Sequence, residues 1–203
     1  MTPEAHAHLS RVDPVLRRLI RRVGPCPIRP DRRTPYEALV SAVAHQQLNG
    51  TAAGTILRRF RALFPGRGFP KPELVAAASD EAIRSAGFSR AKLAAIRDLT
   101  QRALNGNLPS RRVLCRWEDD AIVERLTECR GVGRWTVEMF LMFTLAREDV
   151  LPVDDFGVRN GFRLAYGLDE MPAPKALAEH GERWRPHRTT ASWYLWRAVD
   201  LAR

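Results

Sequence analysis

Leu126-Thr127-Glu128-Cys129-Arg130-Gly131-Val132-Gly133-Arg134-Trp135-Thr136 is the stretch on which the reading of this chain turns. An amphipathic segment from about Glu118 to Glu128 runs into Gly131-Val132-Gly133, and a second helix starts at once. The paired glycines permit positive φ and let the backbone come close to another molecule. The second helix begins with unsatisfied N–H groups and a partial positive charge. Together these features make a phosphate cradle, which positions nucleic acid without reading its bases. A tight turn between two packed helices needs glycine just as much, so the turn alone does not choose.

Outward from the hairpin, helical period dominates. Ala53, Ile56, Leu57, Phe60 and Phe64 share one stripe, and no useful length alternates as a half-buried strand does. Asp13-Pro14 opens a helix that Gly24-Pro25 closes, and Thr34-Pro35 opens the next. Asn49-Gly50 interrupts the pattern, and Pro65 to Pro72 reads as a loop. Short helices are expected at about 79–86 and 89–104. An apolar helix from Trp135 ends near Ala146, and another spans Phe156 to Tyr166. The expectation is an all-α unit over residues 1–203, made of two helical subdomains. Subdomain A takes residues 35–150, with the hairpin at 126–136; subdomain B takes 1–34 plus 151–203.

Lys and Arg number 33 against 23 Asp and Glu, a formal net charge of +10. That excess suits a polyanionic partner such as nucleic acid or an acidic membrane surface. No apolar run approaches a bilayer-spanning length, and the first ten residues do not read as a signal peptide. The three cysteines, Cys26, Cys115 and Cys129, are widely spaced, with no CxxC. Neither a zinc site nor an iron–sulfur cluster is expected, and a reducing, cytoplasmic setting is the simplest inference.

Leu151-Pro152-Val153-Asp154-Asp155-Phe156-Gly157-Val158-Arg159 places two carboxylates at the head of a helix. Either one caps it, as aspartates commonly do. Capping does not preclude chemistry, because a carboxylate held ionised at a helix N-terminus can shelter a developing positive charge.

The hairpin resembles the helix-hairpin-helix of DNA repair glycosylases. Leu126, Gly131, Val132, Gly133 and Thr136 match its pattern, Cys129 takes the hydrophobic position, Arg130 replaces the usual proline and Val137 the usual alanine. The resemblance implies the helix-hairpin-helix glycosylase fold, with the two subdomains flanking a DNA-binding groove. It also implies a catalytic aspartate after the hairpin. Asp155, 22 residues beyond Gly133, fits the family's frame better than Asp154, which is left as cap or partner.

Within that family, lyase-active members carry a lysine where this chain has Trp135. Tryptophan cannot form a Schiff base. Trp135 is instead a flat wall for a cationic base, one turn from Met139. Trp135 also resembles the inducible bacterial 3-methyladenine glycosylases, as does Trp184-Arg185-Pro186-His187-Arg188-Thr189, with Trp196 at another pocket position. As chemistry alone, a C-terminal tryptophan is as well read as core.

Tyr36 to Leu48 is similar to the family's wedge helix. Gln47 falls at the intercalating position and Leu48 competes with it, while His45 reads as a groove or buried polar residue. An exposed polar helix end is the plainer reading of this segment. Gly87-Phe88-Ser89-Arg90-Ala91-Lys92 matches a further family stretch, read mainly as a turn and cap.

The implied reaction is hydrolysis of the N-glycosidic bond of an alkylated purine, flipped out of duplex DNA, by a monofunctional and monomeric enzyme. DNA contacts are assigned to Gly131, Val132, Gly133, Arg134, Thr136, Gln47 and Leu48. The base pocket is assigned to Trp135, Met139, Trp196 and His45. No cofactor is required by this reading. The resemblance places a sodium or potassium ion on backbone oxygens of Thr127, Cys129 and Val132. Two alternatives stay open: a non-catalytic hairpin module that only binds DNA, and a glycosylase for mismatched or deaminated bases.

Overall fold

A computed structural model of the chain describes residues 2–48 and 50–202. Asn49, read above as part of a break, lies outside them. The described residues form helices and no strand. In order they are α1 (Pro3–Val12), α2 (Pro14–Val23), α3 (Pro35–His45), α4 (Gly50–Ala62), α5 (Pro72–Ala77), α6 (Asp80–Ser85), α7 (Arg90–Leu104), α8 (Arg111–Leu114), α9 (Asp119–Thr127) and α10 (Arg134–Phe140). A π-helical turn (Leu141–Leu145) follows, then α11 (Phe156–Tyr166), α12 (Pro174–Gly181), a 3-10 turn (Glu182–Trp184) and α13 (Arg188–Leu201).

Helix starts follow the capping chemistry in the sequence. Thr2, Asp13, Thr34, Ser79 and Ser89 each accept a hydrogen bond from a first-turn N–H, and proline follows three of them. The expected single helix from Trp135 to Ala146 is divided. It passes into the π turn at Leu141 and stops at Ala146, whose φ is +55°. Such a turn widens the helical ladder by one residue.

The chain divides into two compact units, Met1–Asp31 with Leu141–Arg203, and Arg32–Phe140. The second division therefore falls at the π turn, ten residues before the expected 150/151 boundary. Apolar runs alone could not locate it, because residues on both sides of Leu141 are equally buried.

In the first unit, α11 and α13 lie backbone to backbone. A Cβ on Gly161 would sit 1.9 Å from the Leu195 carbonyl oxygen, so only glycine fits. Leu9, Leu16, Val158, Phe162, Leu177, Trp184 and Tyr194 close the core around that crossing. In the second unit α7 is central, packed against α3, α5 and α6, while α10 packs on α3 and α9. Leu39, Val43, Phe60, Ile83, Ile96, Leu99 and Val137 are fully buried there.

Candidate active site

Asp155, in the first unit, is the N-cap of α11. Its Oδ1 accepts the Val158 N–H at 2.7 Å and the Trp196 indole N–H at 2.8 Å. Asp154 is exposed, so the expectation that it caps the helix is corrected. The capping aspartate and the candidate catalytic aspartate are one residue. Trp196 also stacks on Phe143, with ring centroids 5.8 Å apart. Gly157 leaves room for it, since a Cβ there would lie 2.7 Å from the indole Cδ1. Trp196 thus positions Asp155 directly, a role its place in the sequence did not reveal.

The segment leading to Asp155 is clamped by the start of α13. Arg188 pairs with both oxygens of Asp149, at 2.7 and 3.0 Å, and Arg185 adds a third contact at 3.0 Å. Thr189 Oγ1 donates to the Arg147 carbonyl and accepts the Val150 N–H. Bidentate arginine–carboxylate pairs are among the stronger and more directional contacts available. The Trp184 to Thr189 motif, visible in sequence only as a likeness, is this clamp. Trp184 itself is core, donating to Asp13. Phe156, the residue after Asp155, was missed by the sequence reading. At 70% exposure it is the most exposed large apolar side chain among the described residues.

The hairpin lies in the second unit, between α9 and α10. Gly131 has φ +72°, and a Cβ there would stand 2.8 Å from Ala95 Cβ, so two internal constraints demand glycine. Gly133 has neither constraint: a Cβ would meet nothing within 4 Å. The space beside that glycine is open. Arg130, in place of the usual proline, uses the N–H that proline lacks. It donates to Asp98 Oδ2 at 2.9 Å, and Arg102 holds the same oxygen at 2.9 Å. Stiffness lost with the proline is regained through α7. Cys129 is buried as a small hydrophobe, and burial pushes its thiol pKa up.

The wedge segment is tied to the hairpin by Gln46, not by the residues singled out beforehand. Its amide donates to the Gly131 carbonyl and to Thr136 Oγ1, each at 2.9 Å. Lys92 caps the end of α3, donating to the carbonyls of Ala44 and Gln46 at 2.9 and 2.8 Å, and burial pushes its ammonium pKa down. Gln47 holds a φ of +56°, a backbone region that costs roughly 1–3 kcal/mol for a non-glycine residue. Leu48 is 39% exposed beside it. His45 donates from Nδ1 to the Ser41 carbonyl at 2.8 Å.

Trp135 and Met139 are half-buried one turn apart on α10, the second unit's side of the division. Arg134 is exposed and pairs with buried Glu138 at 3.2 Å. Among the described residues, no group of three or more His, Cys, Asp and Glu side chains could hold a metal ion. No helix is long and apolar enough to cross a membrane.

A family model described as the HhH-GPD superfamily of base excision DNA repair proteins matches residues 40–186. DNA-3-methyladenine glycosylase 1 of Schizosaccharomyces pombe is 39% identical over 98% of this chain and 88% of its own. The solved structure of the 3-methyladenine DNA glycosylase from that organism, in complex with abasic DNA, superposes with a TM-score of 0.91 and covers 98% of both chains. A DNA-3-methyladenine glycosidase from Bacillus halodurans is 37% identical, with a TM-score of 0.83 over 99% of this chain and 91% of that one.

Proposed function

The chain belongs to the HhH-GPD superfamily of base excision DNA repair proteins, and from that premise we propose how its residues excise a damaged base. The protein is an alkylbase DNA glycosylase of base excision repair, and DNA is its partner. The finer reading is hydrolysis of the N-glycosidic bond of 3-methyladenine, 7-methylguanine and similar purines after base flipping, leaving an abasic site.

One observation carries it: the Asp155 carboxylate is held by directed donors, among them the Val158 N–H and the Trp196 indole N–H, on a residue that is 9% exposed. Departure of the base leaves an oxocarbenium-like sugar. A fixed anion beside the ring stabilises that cation and guides the attacking water. An N-alkylated purine already carries positive charge, so it leaves with little general-acid help.

Gly131 to Thr136 hold a phosphate through backbone N–H groups, with Arg134 at the rim. The open space beside Gly133 leaves room for that contact. Gln47, presented from its strained backbone, fills the space the base vacates, with Leu48 beside it. Trp135, Met139, Trp196 and His45 receive the base, the tryptophans through cation–π attraction. Trp135 at the lyase position makes the enzyme monofunctional. It acts as a monomer and needs no cofactor. The hard, uncharged carbonyls of Thr127, Cys129 and Val132 suit a sodium or potassium ion, which would brace the hairpin.

Incubation with N-methylated duplex, followed by mass spectrometry of the freed bases, tests the reading. Free methylpurines and alkali-labile, unnicked strands are expected. Binding without release would leave a hairpin module, and strand breaks before alkali would overturn the monofunctional assignment.

A further inference from the structure

An open cleft of about 620 Å³ lies along α6, α7 and the hairpin, lined in part by Glu81, Arg84, Arg90, Arg97 and Arg130. Its charges do not cancel. Arg97 is spent on Asp80, at 2.6 Å, and on the carbonyls of Val75 and Ala78. Asp98 is spent on Arg102 and on the Arg130 backbone N–H. That leaves one carboxylate, Glu81, among the guanidinium groups of Arg84, Arg90 and Arg130, all exposed on the lining of the cleft.

The cleft reaches the hairpin at Arg130. Arg130 immediately precedes Gly131. Helix α7 is bound at its first turn to the wedge through Lys92, and at its third to the hairpin through Asp98. Arg90 stands at the start of that helix, and Arg84 closes α6 alongside it. Three guanidinium groups against one carboxylate, next to the hairpin, suit an extended polyanion better than a single small anion.

We infer that Arg84, Arg90 and Arg130 form a second phosphate-binding surface, which holds the backbone of duplex DNA beyond the hairpin. The inference rests on the glycosylase reading only for the identity of the polyanion. The surface adds affinity without base preference, and each contact releases a condensed counterion.

The test compares wild type, R84A/R90A and the control R21A/R22A, which removes the same charge from exposed positions on α2. Each is titrated with one duplex carrying an abasic-site analogue, across a salt series. For R84A/R90A, the slope of log affinity against log salt should become shallower by roughly 2. Its deficit relative to wild type should then shrink roughly tenfold between about 50 and 200 mM salt. R21A/R22A should keep the wild-type slope. An unchanged slope in R84A/R90A, or an equal change in both pairs, overturns the inference. If thermal melting shows R84A/R90A misfolded, R84Q/R90Q replaces it under the same criteria. A wild type that binds but frees no base would sink the glycosylase reading and leave this comparison intact.

Discussion

Asp13 caps α2 and Asp155 caps α11, each with a tryptophan indole from far down the chain donating to its carboxylate, at 2.9 and 2.8 Å. Their surroundings then diverge. Asp13 is 1% exposed and Asp155 is 9% exposed. Asp13 Oδ1 accepts the N–H groups of Val15 and Leu16, and Oδ2 meets Tyr166, His180 and Trp184. Burial works against its charge, but the hydrogen bonds from His180, Tyr166, Trp184 and Leu16 outweigh it and hold the carboxyl well below the usual range. A carboxylate enclosed by so many donors is a node of the fold. Asp155 is the less enclosed of the two and is followed by an exposed ring, Phe156, which suits a carboxylate that must meet a transient cation. Similar capping chemistry therefore supports a structural or a chemical role according to what the tertiary fold packs around it.

The comparison breaks most sharply on Asp155→Asn. Asparagine caps nearly as well as aspartate, so folding and duplex binding should survive. Single-turnover base release should fall on the order of 10³-fold, the scale of losing a preorganised electrostatic group. Undiminished release would remove Asp155 from its role. Asp13→Asn should do the reverse. It removes a buried charge from its donors, costing about 3 kcal/mol. The melting temperature should drop by roughly 10 °C, read by calorimetry, while release at low temperature persists.

Acid tests the role of Asp13. Because the folded pKa of Asp13 is depressed, its contribution is complete above the unfolded value and is lost as pH falls through the folded one. Wild type should lose thermal stability between about pH 4 and pH 2, and Asp13→Asn should give a flatter profile there. Parallel profiles would refute the assignment.

Trp196→Phe keeps a ring but removes the donor to Asp155. A positioning role predicts about a tenfold fall in kcat with KM little changed, the worth of one charge-assisted hydrogen bond. A rise in KM alone would make Trp196 only a wall for the base. Phe156→Ala should be mildest, with stability within about 0.5 kcal/mol of wild type because the ring is exposed. Steady-state kinetics should show a modest loss in kcat/KM, and no loss would end its involvement.

Much of this was legible beforehand, for identifiable reasons. Proline after a hydroxyl or carboxyl cap marks helix starts because the cap satisfies first-turn N–H groups locally. The hairpin was legible because φ > 0 at Gly131 leaves few residue choices. The frame around Asp155 was legible, but Asp154 and Asp155 could not be separated as caps: both satisfy the same local chemistry. The π turn was hidden inside an apolar run that an ordinary helix would also explain.

Local rules thus set the helices, their caps, the hairpin and the excess positive charge, since each depends on neighbours within a few residues. Partnerships over long sequence separations came only with packing: Trp196 with Asp155, Arg188 with Asp149, Gln46 with Gly131, Asp98 with Arg130. No period or spacing encodes which distant donor meets which acceptor. That choice follows from close crossings such as Gly161 against Leu195, where the volume of one missing side chain decides what can touch.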